Sequence, residues 1–366
     1  MKRPLISLGV VAAIVAAALG AGENASAAGH LTGAGSTLVA PMVENVFDPD
    51  FQSKTGNSVT YGSVGSGAGI SQISAKTVDF GASDAPLTSA QSGACSGCIE
   101  IPWALASTGL SYNLPGVSHL NLSGPVIAGI FLGTITNWSD PKIKALNKGE
   151  TLPNLTITPV HRSDGSGDTY AFTHYLSAVS PQWKRQVGYA TAVNWPTGTG
   201  GNGNSGVAAV VSSTAGAIGN NSWFYIRAAK LQAVAIENNA GKFILPYVPN
   251  VTAAATAMLS KLPSLSSLTS STADSIANAL SVVNCPYSKP KKGKKPTTLQ
   301  KEQALAYPMS TFTYVLLRPD DSNIALLKQF IGFAITPAEE KKGAALQFAP
   351  LPTAVYKADL AAVNAL

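Results

Sequence analysis

The sequence predicts an α/β protein with a mostly parallel sheet, on three observations. Apolar runs with strand spacing alternate with segments of helical spacing along most of the chain, the order that builds strand-helix-strand units. Of 366 residues, 45% are hydrophobic and 12% charged, enough apolar material for a large core and the wrong composition for a disordered chain. The 34 Gly and 23 Pro imply many tight connections, and the length leaves room for two or three domains.

Lys2 and Arg3 precede an apolar run from Leu5 to Gly20 and then Ala25-Ser26-Ala27, the positive, hydrophobic and small-residue layout of an export signal. Residues 1–27 are therefore read as a signal peptide cleaved after Ala27, since the run is short for an uncleaved anchor. No cysteine stands near that point to accept a lipid. The mature chain is expected to be exported, in the periplasm or at the cell surface, and Pro, Gly or charged residues break every later apolar run.

A helix is predicted from Thr37 over Leu38 to Phe47, with Pro41 in its first turn, where the missing N–H costs little. Gly67 to Ala75 reads as a second helix and Val78 to Ala82 as a strand; Gly109 to Asn113 is a strand stopped by Pro115-Gly116. Pro125 to Leu132 and Pro141 to Leu146 have helical spacing. Leu155 to Val160 is a strand running into a Gly/Ser-rich loop, and Thr169 to Leu176 a helix. After a Gly/Asn-rich loop at Thr197 to Gly206, Val207 to Val211 reads as a helix and Ala217 to Tyr225 as a strand. Helical spacing returns at Val251 to Leu262 and Thr272 to Val283. Phe312 to Leu317 is a strand, and Ile324 to Ile335 and Pro337 to Gln347 are helices.

The formal charge of +6 raises nucleic acid as a partner, but its distribution argues against one. Lys2 and Arg3 against Glu23 give the leader +1, and Lys289, Lys291, Lys292, Lys294, Lys295 and Lys301 give +6, which leaves the remainder at −1. No nucleic-acid partner is expected. The lysine-rich stretch reads as a solvated loop, or as an electrostatic attachment to an anionic surface. Export permits disulfides. Cys95 and Cys98 stand in a loop-like context and are read as a structural disulfide rather than a redox pair, with Cys285 left over. His30, His119, His161 and His174 lack the spacing that would complete a zinc site, so no metal or cofactor is expected.

Three segments place small hydroxyl and Gly residues where a loop becomes a helix: Gly33-Ala34-Gly35-Ser36-Thr37-Leu38, Gly65-Ser66-Gly67-Ala68-Gly69 and Asp164-Gly165-Ser166-Gly167-Asp168. Helix N-termini expose unpaired N–H groups and a positive dipole end, so each could hold an anion; ordinary N-capping explains any one alone. Their neighbours tip the balance. Arg162, at a strand's end, could hold two oxygens of a tetrahedral anion, with Asp164 orienting it. Asp84 also ends a strand, and a carboxylate facing an anion makes sense when it accepts a proton from it.

The runs GAGSTLVAP, GSVGSGAGISQI, TVDFGASDAPL, HRSDGSGDTYAFTHYL and GGNGNSGVAA, in this order, resemble the PstS family of phosphate-binding proteins from bacterial high-affinity phosphate uptake systems, over nearly all the mature chain. The resemblance implies a type II periplasmic-binding-protein fold, in which two α/β domains are joined by two hinge strands with inorganic phosphate in the cleft between them. It places domain I at residues 28–112 plus 316–366, domain II at 117–311, and the hinges near 112–116 and 312–316. It implies a monomer, not an enzyme, that closes on phosphate and presents it to the permease subunits of an ABC transporter. By motif, the phosphate contacts fall on Thr37, the backbone N–H of Leu38, Ser66, Asp84, Arg162, Ser166, Gly167 and Asp168.

Two departures matter: many relatives carry an aromatic at position 38 and Thr at position 168. A hydroxyl at 168 donates to phosphate oxygen, whereas a carboxylate accepts unless it is itself protonated. With Asp84 and Asp168 the pocket offers two acceptors, matching the two O–H groups of dihydrogen phosphate. Two rivals remain: a secreted phosphatase-like enzyme with Ser166 or Ser66 as nucleophile, which would need a base such as His161 or His174, and an adhesin or matrix protein on the same fold.

Overall fold

The computed structural model describes residues 28–259 and 282–366. The expected signal segment, the end of the helix expected at Val251 to Leu262 and most of the one at Thr272 to Val283 lie outside the described residues.

The strands in chain order are β1 (His30–Gly35), β2 (Ser58–Ser63), β3 (Phe80–Ser83), β4 (Ile99–Tyr112), β5 (Asn121–Leu122), β6 (Thr158–Arg162), β7 (Thr199–Gly201), β8 (Ala217–Ser222), β9 (Gln232–Ala233), β10 (Ala235–Glu237), β11 (Phe243–Ile244) and β12 (Ser310–Leu317). Nine form one sheet in the order β2-β1-β3-β12-β4-β8-β6-β7, with β9 pairing off this path to β4; β11-β10-β5 form a second, small sheet. The α/β class holds, with helices between the strands, but the main sheet is mixed rather than mostly parallel. β1 pairs in parallel with β2 and β3, and β6 with β7 and β8, as strand-helix-strand connections produce. Every antiparallel ladder of this sheet involves β4 or β12.

β4 runs through both halves of the molecule, and β12 begins where the second half ends. Ile99 to Ser107 of β4 pair with β12, and Thr108 to Tyr112 pair with β8. The apolar core changes at the same place. Ile101, Trp103, Leu105, Phe312 and Leu316 belong to a core with Phe47, Phe80 and Phe330, whereas Leu110, Tyr112 and Met309 belong to another with Phe131, Trp138 and Phe172. Between the two cores lie Ser107, Thr108, Ser310 and Thr311, all buried and polar. The Thr108 N–H donates to the Met309 carbonyl at 3.2 Å across this seam.

Two prolines account for the largest errors in the expected elements. The first helix does not stop at Phe47. Ala40–Met42 are α-helical, Val43–Phe47 form a π turn, and Asp48–Thr55 continue as α-helix until Gly56, at φ 76°, ends it. The wide turn sends the Asp48 N–H to the Val43 carbonyl and places Pro49 in the first turn of the next segment, where a ring without an N–H is tolerated. The strand expected from Gly109 begins instead at Ile99, because Pro102 disguises its first part. Pro102 donates no ladder bond, and the register with β12 shifts there, with Thr313 opposite Ala104 and Tyr314 opposite Pro102.

Other elements keep their type with moved ends. The strand expected to Tyr225 ends at Ser222, and Trp223–Ala228 turn into a helix. The Gly/Asn-rich loop expected before Val207 contains the strand β7, Thr199–Gly201, and its end is the first turn of the helix Gly203–Ser213. Helices Pro181–Gln186 and Thr353–Ala365 were not expected. Cys95 and Cys98 are disulfide-linked, and Cys285 is buried elsewhere. Among the described residues, no helix is long and apolar enough to cross a membrane.

The helix Ser66–Ser74 lies against β1 and β3 through Gly69, where a Cβ would stand 2.5 Å from Gly35 Cα and 2.7 Å from the Ala34 carbonyl oxygen. These are backbone atoms that cannot swing aside. Gly69→Ala is therefore expected to lower the unfolding free energy by about 1–3 kcal/mol in chemical denaturation, and an unchanged midpoint would show that the helix can lift off the sheet freely.

Candidate functional site

Five segments meet where the parallel strands of both halves end. β1 ends at Gly35, and Ser36, Thr37 and Leu38 turn toward the helix that starts at Ala40. β2 leads through Val64 and Gly65 into the Ser66 helix, and β3 leads into Asp84. In the other half β6 ends at Arg162 and leads into the helix Gly167–Val179, while β7 leads into the Gly203 helix. The carboxyl ends of parallel strands are where open α/β sheets hold their ligands, and the helix N-termini there bring backbone N–H groups toward one place.

The halves touch at this point through short polar contacts. The Gly67 N–H donates to the Gly165 carbonyl at 2.9 Å. The Ser66 hydroxyl oxygen accepts from the Gly167 N–H at 3.1 Å and from the Asp84 N–H at 3.2 Å. Asn204 Nδ2 donates to Thr37 Oγ1 at 2.8 Å and to Asp168 Oδ2 at 2.7 Å, while its own carbonyl accepts the Ser222 N–H at 2.6 Å. Gly65, at φ 93°, permits the approach, since a Cβ there would stand 2.8 Å from the Gly165 carbonyl and collide with Asp164. Farther out, Trp223 Nε1 of the second half donates to Gln347 Oε1 of the first at 3.0 Å.

Charge is concentrated on Arg162, which is 3% exposed. Its Nε donates to Asp164 Oδ1 at 2.7 Å, Nη2 donates to Asp164 Oδ2, and Nη1 reaches Asp168 Oδ2 at 3.0 Å. The Gly203 N–H adds a bond to Asp164 Oδ1 at 3.0 Å. Burial pushes the Asp164 carboxyl up, but the Arg162 fork and the Gly203 N–H outweigh it and hold it below the usual carboxylate value. Asp84 and Asp168 go the other way. Burial, with the Asp168 charge added, pushes Asp84 up to about 7, against the pull of the Ser36 hydroxyl and Arg162. Burial also raises Asp168, although Arg162 and Asn204 favour its charged form.

One oxygen of each raised carboxyl is occupied. Asp84 Oδ2 accepts from the Ser36 hydroxyl at 2.6 Å and from Ser66 at 3.4 Å, and Asp168 Oδ2 accepts from Arg162 and Asn204. The other oxygen of each, Asp84 Oδ1 and Asp168 Oδ1, is buried with no partner at hydrogen-bond geometry among the described residues, although the Thr313 and Thr108 hydroxyls stand near the two carboxyls and favour their charged forms. Buried acceptors are normally bonded, and these two oxygens stand at one junction, where they could accept protons from a ligand. Arrangement and charge together suit a small, protonated oxyanion.

All eight residues singled out in the sequence lie at this junction. Thr37, Ser66, Asp84, Arg162, Gly167 and Asp168 are tied together by the bonds above. The Leu38 N–H donates to Ser36 Oγ at 3.0 Å, and Ser166 caps its helix by accepting the Thr169 N–H at 3.4 Å. Sequence reasoning missed Asn204 and Ser36. Asn204 opens a helix from a Gly-rich run, the same signal that marked the other three clusters. Ser36 was inside one of those clusters, but its link to Asp84 spans 48 residues and has no local signature. His161 stacks on Trp195 at 4.7 Å with Nδ1 at 3.0 Å from the Arg162 carbonyl, and His174 stacks on Tyr189 at 4.6 Å.

A family model described as PBP superfamily domain matches residues 21–338. The Phosphate-binding protein PstS of Pasteurella multocida (strain Pm70) is 44% identical over 227 residues, covering 62% of this chain and 65% of the relative, so the chain spans a little under two thirds of that protein. The Phosphate-binding protein PstS of Methanocaldococcus jannaschii is 31% identical over 339 residues, covering 86% of this chain and 81% of its own length. Among solved structures, a phosphate-binding protein from Stenotrophomonas maltophilia matches with TM-score 0.64 at 18% identity, over 91% of this chain and 93% of that one, a likeness of fold. With the model matched over most of its length and the archaeal relative covered as far, the chain belongs to the PBP superfamily, in the family of the phosphate-binding proteins named PstS.

Proposed function

We propose that this chain is an exported solute-binding protein that captures inorganic phosphate at the junction of its two halves and delivers it to an ABC-type permease. The observation that carries the reading is the pair of unbonded buried oxygens, Asp84 Oδ1 and Asp168 Oδ1, beside the Arg162 guanidinium. Phosphate is an anion that both accepts and donates hydrogen bonds. Arg162, the Thr37 and Ser166 hydroxyls and the N–H groups of Leu38 and Gly167, which exchange their bonds to Ser36 and Ser66 for the ligand, supply donors to its oxygens; Ser66 completes the wall, and Asp84 and Asp168 take its protons. Because Asp84 is held near 7, either it or the ligand can carry a proton that the two share.

Capture works by closure. Thr37, Leu38, Ser66 and Asp84 belong to one half and Arg162 to Asp168 to the other, so the full set of contacts exists only when the halves meet. In this reading the change of partner along β4 supports hinges at Ser107 and Thr108 and at Met309 and Ser310, beside the positions 112–116 and 312–316 that the family resemblance implies. A hydrolytic reading finds less support: the His161 and His174 rings are stacked on Trp195 and Tyr189, and the Ser66 and Ser166 hydroxyls bond with Asp84 and with backbone N–H groups.

Calorimetric titration tests the reading: phosphate and arsenate should bind and sulfate should not. Sulfate brings no proton, which leaves buried acceptors unpaired, and rejection of that kind reaches about 10⁴–10⁵-fold. Asp84→Asn, whose amide can donate, should cut the preference for phosphate over sulfate at least about 100-fold; an unaltered preference would remove Asp84 from the site.

Asn204→Ala takes away the tie to Thr37 and leaves Asp168 Oδ2 and the Ser222 N–H each short of a bond. It should weaken phosphate binding about tenfold to a hundredfold, measured at a temperature where the variant's denaturation curve shows it folded; wild-type affinity in that variant would show the bridge to be idle.

Asp168 sets the pH response. Where Asp168 enters binding as the carboxylate, it accepts a ligand proton where a hydroxyl would donate, so the wild type takes up one proton more on binding than the Asp168→Thr variant. The ratio of wild-type to variant affinity should therefore rise as pH falls from 8 to 6, by up to about tenfold per unit. A ratio that is flat with pH would exclude proton acceptance at this position.

A further inference from the structure

The phosphate site makes no use of the lysine-rich loop that separates β11 and the helix Val248–Leu259 from β12. Lys289, Lys291, Lys292, Lys294, Lys295 and Lys301 are all exposed. Among the described residues none of the six takes part in an ion pair, and Glu302 is the one acid between residues 286 and 305.

The loop is shaped as well as charged. The Lys294 N–H donates to the Lys291 carbonyl at 2.9 Å, and Gly293, at φ 75°, makes the reversal, so the lysines sit on both arms of one tight turn. Pro290 and Pro296 stiffen the arms. Both bases are tied down: the Ser288 N–H donates to Gln303 Oε1 at 3.0 Å, and Thr297 and Gln300 form a capping box that starts the helix Thr298–Leu305. Five cations are thus held together at a fixed tip, and among the described residues none of them is paired with a carboxylate.

We infer that this turn is a docking surface for an anionic phospholipid bilayer. Every cation in it is a lysine, a compact hydrated charge suited to a diffuse layer of headgroups, with none of the arginine forks that read a particular phosphate or base. No aromatic side chain stands between Ser288 and Thr298 to stack on nucleobases, which counts against single-stranded nucleic acid. Apart from these lysines and the leader, the chain is close to neutral, so the turn dominates the long-range field. The purpose assigned to the contact, holding a loaded protein beside its permease, rests on the proposed phosphate-delivery function; the contact itself does not.

Co-sedimentation of the purified exported protein with vesicles tests this. One set is phosphatidylcholine alone, the other carries about a third phosphatidylglycerol, and both are run at low and high salt. Each lysine near such a surface contributes about fivefold in affinity. Lys291→Gln, Lys292→Gln, Lys294→Gln and Lys295→Gln together should weaken binding to the anionic vesicles at least about 100-fold, with phosphate titration of the same variant unchanged. Binding to the anionic set that is lost in high salt and in the variant supports the inference. Equal binding to both sets, binding indifferent to the four substitutions, or capture by soluble polyphosphate or DNA in preference to vesicles overturns it. If vesicle binding fails while phosphate still binds, the docking surface falls and the phosphate reading stands; if phosphate fails to bind, the reverse holds.

Discussion

One guanidinium set between carboxylates governs the rest of this structure. Taking Arg162 and the Asp84 and Asp168 carboxyls out of water costs several kcal/mol per charge in principle, and the expense is met only if nearly every polar atom finds a partner. That demand reaches into five segments. Asp164 holds two arms of the fork, Asp168 the third, and Asn204 is fixed by the Ser222 N–H so that it can serve Asp168 and Thr37 together. Ser36 and Ser66 do the same for Asp84. The Gly-rich character of the surrounding loops follows, because backbone N–H groups can serve buried oxygens only where no side chain stands between them.

The two cores answer a different requirement. A site between two bodies can open and close only if each body keeps its own apolar interior during the motion. The core around Trp103, Phe80 and Phe330 and the one around Trp138, Phe131 and Phe172 meet the seam at Ser107, Thr108, Ser310 and Thr311, where hydrogen bonds rather than interdigitated apolar groups hold the strands. Hydrogen bonds can rotate a few degrees at little loss, whereas close-packed side chains resist.

Much of this was legible in the sequence, for local reasons. Three loop-to-helix clusters, Arg162 and Asp84 stand in contiguous runs, and the helix starts at Ser66 and Gly167 carry their own Gly and Ser signals. What stayed hidden depends on distant pairings. Pro49 and Pro102 look like breakers until the π turn and the shifted ladder that accommodate them are seen. The mixed sheet comes from two strands some 200 residues apart, and no periodicity within either reveals its partner. Asn204 earns its position from Thr37, 167 residues away.

The adjacency of Thr108 and Met309 also bears on how the chain reaches this state. Pairing β4 with β12 directly would close a loop of roughly 200 residues, at an entropic cost of about 5 kcal/mol. Once the intervening half has folded, its entrance and exit are hydrogen-bonded neighbours, and the remaining closure is nearly free. Closure is therefore cheapest when the inserted half forms first and brings β4 and β12 together, so that β12 and the helices after it complete the half that begins the sequence.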